Sequence, residues 1–239
     1  MQSSSSGSSI TVQHCGKCGR KDADGLSING SAQTPPRKIL AEISGIFDFA
    51  GAWPASERCA FEKDMRVRQD FVTAEEEQSL LQEIEPHLRR LPYETSHWDE
   101  AIHGYRETEQ RNWNSRNRLI LERISQLAFN GQAMPYVHVL DLAESGVIKP
   151  HVDSTRFCGD TIAGLSLLSD SVMRLVKVSD AKIVPYWADL FLPRRSLYVM
   201  SCLARYHFTH EILVGDLATF QSKLILRKRR VSVICRNEP

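Results

Sequence analysis

The chain predicts an α+β fold that is mainly β, a sandwich or jelly roll with two helices packed on one sheet. Three observations predict it. From about residue 136 onward, seven apolar runs of strand length follow one another, separated by turn residues and with no helical pattern between them. Two stretches of helical periodicity come just before, placed to cover one sheet. The 239 residues are 42% apolar and 25% charged, the composition of a globular chain able to bury a sizeable core.

Residues 1–64 mix Ser, Gly, Pro and short apolar pieces with no sustained period, so a largely irregular extension is expected ahead of a domain spanning 65–239. The opening MQSSSSGSSITVQHCGKCGRKD is serine-rich with no acid before Asp22, which fits an organelle transit segment and also a disordered tail. Within it, His14, Cys15 and Cys18 have half the spacing of a zinc site, with no second pair of ligands nearby. FDFAGAW (47–53) is expected to pack onto the domain.

A helix is predicted over 73–90. Thr73 and Glu76 form a capping box, and Leu80, Leu81, Ile84 and Leu88 share a face. Pro86 lies inside the span and is expected to kink it or end it early, and Leu91-Pro92 stops it. A second helix over 115–129 turns Ile120, Leu121, Ile124 and Leu127 to a core and ends before Asn130-Gly131. The strand-like runs are YVHVLDL (136–142), TIAGLSLLS (161–169), VMRLVKV (172–178), ADLFL (188–192), SLYVM (196–200), YHFTHEIL (206–213) and RVSVICR (230–236).

Several function classes are disfavoured at once. The formal net charge of +1 gives no global field to hold a polyanion or a membrane surface, so a basic site must be local. Six cysteines (15, 18, 59, 158, 202, 235) lack a disulfide-framework spacing, which suits a reducing compartment. No apolar run reaches the length needed to cross a bilayer, so no membrane insertion is expected.

The chemistry gathers in the C-terminal half. In IKPHVDS, His151 and Asp153 stand two apart in a segment that reads as strand, so both side chains share a face while Val152 points away into packing. An imidazole and a carboxylate suit Fe(II), Mn(II) or Zn(II), and a third ligand must come from elsewhere. ARYHFTHEIL supplies His207 and His210, whose separation of three puts them on opposite faces of a strand, so only one can join. In RRVSVICR, Arg230, Ser232 and Arg236 fall on one face. Guanidiniums facing a core are costly unless they meet anions, and a dicarboxylic acid would meet that need. Arg227 and Lys228 read as a solvated basic turn.

Taken in order, VHVLDL, IKPHVDS, FCGDTIAGLSLLS, SVMRLV, SLYVM, HEIL and RRVSVICR, with AEEE and HWDEAIHGYRETE upstream, resemble the AlkB family of Fe(II)- and 2-oxoglutarate-dependent dioxygenases and, within it, the mitochondrial branch. The resemblance runs from about 70 to 236 and leaves out residues 1–64. It implies a double-stranded β-helix, iron held by His151, Asp153 and His210, and His207 facing outward. It implies that Arg230 binds the distal carboxylate of 2-oxoglutarate, that Arg236 lies nearer the carboxylate beside the metal, and that Tyr198 offers its hydroxyl to the cosubstrate. One departure stands out. Where many relatives carry Asn and Tyr on the strand before the first His, this chain has Leu140 and Leu142.

The implied reaction consumes dioxygen and 2-oxoglutarate and hydroxylates a C–H bond, or demethylates where the methyl sits on nitrogen. Gly131 to Pro135 leave little room for a lid between the second helix and the first core strand. The only other candidate, 93–113 with Trp98, His103, Tyr105 and Trp113, is expected to pack its aromatics on the core. A peptide or protein substrate is therefore favoured, with an RNA nucleobase as the alternative and a catalytically idle jelly roll as a third reading. The branch resemblance implies a mitochondrial location, with the cytoplasm as the alternative, and a link to energy metabolism and regulated necrosis.

Overall fold

A computed structural model describes residues 45–95, 100–178 and 186–239. Its strands and helices follow in the order β1 (Phe47–Ala50), α1 (Ala55–Asp64), β2 (Met65–Arg68), α2 (Ala74–Leu88), β3 (Ile102–Gln110), α3 (Ser115–Phe129), β4 (Val137–His151), β5 (Thr161–Leu167), β6 (Ser171–Lys177), β7 (Trp187–Leu192), β8 (Ser196–Ser201), α4 (Cys202–His207), β9 (Phe208–Ile212), β10 (Thr219–Phe220), β11 (Lys223–Leu224) and β12 (Arg230–Arg236). Ten strands form one curled antiparallel sheet in the order β1-β7-β6-β9-β4-β12-β5-β8-β2, with β3 on the other edge of β4.

Strand β4 joins the two halves of this jelly roll. Its first residues pair with β12, from Val139 opposite Val233 to Leu142 opposite Arg230. Its last residues cross to β9, where Ile148 lies opposite Ile212 and His151 opposite His210, with a register shift between. Strand alternation then sorts the side chains into two cores. Val137, Val139, Ala163, Leu165, Leu197, Val199, Val231 and Val233 face α2 and α3 and pack against Leu80, Ile84, Ile120 and Ile124. Leu140, Leu142, Ile162, Met173, Tyr198, Met200, Ile212 and Ile234 face inward between the halves.

Both predicted helices are present. Thr73 and Glu76 make the reciprocal cap of α2, and Asn130, left-handed at φ 50°, ends α3. Leu80, Ile84 and Leu88 of α2 are buried, whereas Leu81 is half-buried. Pro86 does not end α2, which runs on to Leu88. Each of the seven strand-like runs contains a strand, although Tyr206 and His207 of YHFTHEIL belong to α4, and β4 runs on well past Leu142, through His151.

Of the segment expected to be irregular, the described residues 45–64 are a correction, because they form β1 and α1. β1 pairs with the edge of β7, and Phe47, Phe49 and Trp53 pack on the inner core beside Phe61. Trp53 stacks on Phe208, with ring centroids 5.4 Å apart, and donates its indole N–H to the Trp187 carbonyl at 3.1 Å. FDFAGAW therefore packs onto the domain. Helix α1 has no amphipathic stripe to read, since Phe61 is its only buried residue. His14, Cys15, Cys18 and the serine-rich stretch lie outside the described residues, as does Trp98.

Within 93–113, Tyr105 is buried and Trp113 packs on the helix-side core. No described helix is long and apolar enough to cross a membrane. Cys59, Cys158 and Cys235 form no disulfide among the described residues.

Candidate metal centre

The β4–β9 pairing brings His151 and His210 face to face, with ring centroids 4.3 Å apart. Asp153 lies two residues beyond His151, just past the end of the strand. Its carboxylate oxygens are 3.7 Å from His151 Nε2 and 4.0 Å from His210 Nε2. One ligand atom from each of the three residues falls within 4.8 Å of the others. The tautomer of His151 follows from its neighbour. Nδ1 lies 2.8 Å from the Lys149 carbonyl, which can only accept, so Nδ1 carries the proton and Nε2 presents a lone pair to the centre.

Protonation suits a cation. Burial holds the His210 imidazole down to about 4. Asp153 offsets part of this, while His151 and Arg205 push the same way as burial. His210 is therefore neutral at pH 7. Burial alone would raise the Asp153 carboxyl, but the neighbouring His151 and His210 imidazoles and the Arg236 guanidinium outweigh it and hold the group well below the usual carboxylate range. Two imidazoles and one carboxylate on one side, with the opposite side open to a cavity, match the donor set of a non-haem Fe(II) site.

The loop carrying Asp153 is held by Arg205 of α4, whose side chain is 1% exposed. Its guanidinium donates to the carbonyls of Asp153 at 2.8 Å and Ser154 at 3.1 Å, and lies 3.1 Å from Cys158 Sγ. Helix α4 leads directly into β9, so one buried side chain ties the Asp153 loop to the base of the His210 strand. Val152 does not turn into packing as expected. It is partly exposed and lines the mouth of the site, because the strand ends at His151 and alternation lapses there.

Beneath the three ligands is a cavity of about 60 Å³, lined among others by Tyr198, Arg230, Ser232 and Arg236. Arg230 is 2% exposed, and its Nε donates to Ser166 Oγ at 2.9 Å. Arg230 Nη2 and Ser232 Oγ have no hydrogen-bond partner among the described residues. Burial pushes this guanidinium below its ordinary value. A buried cation with an unmet donor and no ion pair among the described residues is costly unless an anion joins it, and a carboxylate of 2-oxoglutarate fits that need.

Tyr198 lies flat over Gly164 on the neighbouring strand, where any Cβ would overlap its ring. Nearer the mouth, Arg236 Nη2 lies 3.2 Å from His138 Nδ1, and His138 Nε2 lies 2.7 Å from Glu107. Because the guanidinium can only donate, His138 accepts at Nδ1 and donates from Nε2.

Relatives decide the family. The chain is 52% identical over 175 residues to the cow (Bos taurus) protein alpha-ketoglutarate-dependent dioxygenase alkB homolog 7, mitochondrial, covering 72% of this chain and 78% of that protein. It belongs to the AlkB homolog 7 family of 2-oxoglutarate-dependent dioxygenases. The mouse (Mus musculus) member is 49% identical over the same shares of both chains. The solved structure of OsALKBH1 matches with a TM-score of 0.54 at 11% identity, covering 73% of this chain and 98% of that one, and supports the fold. No protein-family model matches the chain. The protein is thus an AlkB-like oxidoreductase of a family that uses Fe(II) and 2-oxoglutarate.

The geometry brings His151, Asp153, His210, Tyr198, Arg230 and Arg236 around one cavity. His207 stays outside it, exposed at the end of α4 rather than on the reverse of a strand. Arg227 is a correction. It is not a solvated turn residue but 8% exposed, donating to the carbonyls of Ala143 at 2.8 Å and Glu144 at 3.1 Å. Burial lowers its pKa to about 10, and the charge of Arg230 adds to this.

Sequence reading also missed Ser166 and His138. Each carries a periodic signal: Ser166 shares a face with Gly164 and lies opposite Ser232, and His138 shares one with Leu140.

Proposed function

We propose that His151, Asp153 and His210 bind Fe(II), and that Arg230, Arg236 and Tyr198 bind 2-oxoglutarate, with Ser166 positioning Arg230, for the hydroxylation of a peptide or protein. The single observation that carries this is the buried guanidinium of Arg230, whose Nη2 has no hydrogen-bond partner among the described residues, lining the same small cavity as the two histidines and Asp153. With the cofactor bound, dioxygen and 2-oxoglutarate convert R–H to R–OH, releasing succinate and carbon dioxide.

The chain's own residues orient and shield. Arg230 takes the distal carboxylate, with Ser166 holding its Nε side so that the remaining donors face the ligand. Arg236, close enough to lower the Asp153 carboxyl, steadies the carboxylate nearer the metal. Leu140, Ile148 and Ile212 keep water from the cavity walls. We read the domain as including β1 and α1, since their aromatic side chains close the inner core.

A peptide is favoured over RNA because α3 and β4 are joined by a short connection and the aromatics of β3 and the following turn are committed to packing. An idle jelly roll would have no use for a buried arginine with an unmet donor. The mitochondrial names of the cow and mouse relatives support that compartment over the cytoplasm; the link to energy metabolism and regulated necrosis rests on the family resemblance alone.

The test is anaerobic Fe(II) titration of the wild type, Asp153→Ala and His207→Ala, followed by succinate release in air. Wild type and His207→Ala are expected to bind one equivalent and release succinate slowly without added substrate. Asp153→Ala should lose the metal with its β-signature unchanged. Retention of iron by Asp153→Ala would remove this site from consideration.

A further inference from the structure

The cavity opens into a groove of about 830 Å³ that shares Ile102, His138, His151, Asp153 and Arg236 with it as walls. A substrate must approach through this groove, and its charge is one-sided. Four carboxylates line it (Glu100, Glu107, Glu109 and Asp153) against two cations, Lys149 and Arg236. Asp153 faces the two histidines and Arg236 faces the cavity; of the other three carboxylates, Glu107 accepts from His138 Nε2, and Glu100 and Glu109 stand with Lys149 along the groove.

Pairing across the sheet explains the position of two of them. Glu107 lies opposite Leu140 and Glu109 opposite His138, so both share the face of β4 that looks into the site. Their neighbour Arg106 turns to the reverse face, where it pairs with Asp141 at 2.7 Å. Phe157, 63% exposed, and the partly exposed Val152 give the groove an apolar border.

The basic run at 227–230 offers a polyanion little in return. Arg227 is buried on backbone carbonyls, Arg229 is paired with Asp141 and Glu85, and Arg230 lies in the cavity. Only Lys228 is exposed.

We infer that the groove takes a cationic peptide segment, whose Lys or Arg side chains meet Glu100 and Glu109 while an apolar neighbour rests on Phe157. The inference rests on the proposed function above and names its substrate class. A single strand of RNA would draw its phosphates past the same carboxylates and be repelled.

The experiment uses the full chain loaded with Fe(II) and 2-oxoglutarate. Peptide pools of equal length and positive, neutral or negative net charge, and a single-stranded RNA carrying methylated bases, are compared in two readouts. One is anaerobic binding at several salt concentrations; the other is succinate release above the rate without substrate. The cationic pool is expected to bind at least about tenfold more tightly than the neutral pool, with the difference fading as salt rises. In Glu100→Lys/Glu109→Lys, the ratio of cationic to anionic binding should invert.

Equal binding of all pools, or a preference for the anionic pool, overturns the inference. RNA binding tighter than that of any peptide pool overturns it in favour of a nucleobase substrate. Charge-selective binding without any succinate release would instead count against the proposed function and leave the groove's selectivity standing.

Discussion

Replacing Arg230 with methionine removes a buried cation from the floor of the cavity while keeping much of its volume. Without ligand, this guanidinium is desolvated, spends one hydrogen bond on Ser166 and leaves Nη2 unmet. Its removal should therefore leave the ligand-free protein as stable as before or more so. With 2-oxoglutarate bound, the same change strands a buried carboxylate, a loss of about 3 to 5 kcal/mol that weakens binding by roughly two to four orders of magnitude. Lysine keeps the charge but not the planar fork, and should cost about 1 to 3 kcal/mol.

Thermal unfolding of the Fe(II)-loaded protein under nitrogen reads both effects. At 100 times the dissociation constant, a ligand adds about 2.7 kcal/mol, which for a domain of this size raises Tm by roughly 5 to 11 °C. Wild type should show that rise. Arg230→Met should show none at the same concentration, starting from an equal or higher ligand-free Tm. A 2-oxoglutarate shift as large in Arg230→Met as in wild type would refute the reasoning and take Arg230 out of the cosubstrate site.

Gly164→Ala drives a methyl into the Tyr198 ring, so an overpacking cost of about 1 to 3 kcal/mol and weaker 2-oxoglutarate binding are expected, checked by denaturant unfolding and titration. The metal-free protein should lose stability as pH falls from about 6.5 to about 4. The unfolded chain takes up a proton at His210 through that window and the folded chain does not, so stability is full above it and falls by about 3 kcal/mol across it. Chemical denaturation at a series of pH values tests this, and His210→Gln should flatten the slope. Arg227→Met leaves the carbonyls of Ala143 and Glu144 without their donor and should destabilise by about 1 to 3 kcal/mol with no change in RNA binding. A loss of RNA binding without loss of stability would restore Arg227 to the surface.

What the sequence revealed about the site depended on strand alternation, which is a local property. Arg230, Ser232 and Arg236 share a face because their spacing is even, and no tertiary knowledge is needed to see it. The capping box of α2 and the Asn-Gly stop after α3 are equally local. β1 and α1 were hidden for the opposite reason: the strand has four residues, the helix buries only Phe61, and neither has a period of its own.

β3 escaped notice because Glu107 and Glu109, on its inner face, border a groove and not a core, so its alternation is not hydrophobic. Arg227 and Arg205 look like surface cations in the sequence. Most of their acceptors are backbone carbonyls 51 to 84 positions away, which no spacing rule connects to them.

The Arg205 tie has a bearing on how the protein meets its metal. Where ligands are scattered in a floppy chain, an ion must first organise them, and the energy of capture goes into folding. Here the Asp153 and Ser154 carbonyls are already fastened to α4, and His151 and His210 already face each other across paired strands. The ion would enter a finished seat. A chelator should then strip iron without melting the jelly roll, and resupply should restore turnover without refolding. Cellular iron would set the active fraction of this enzyme while its abundance stays constant.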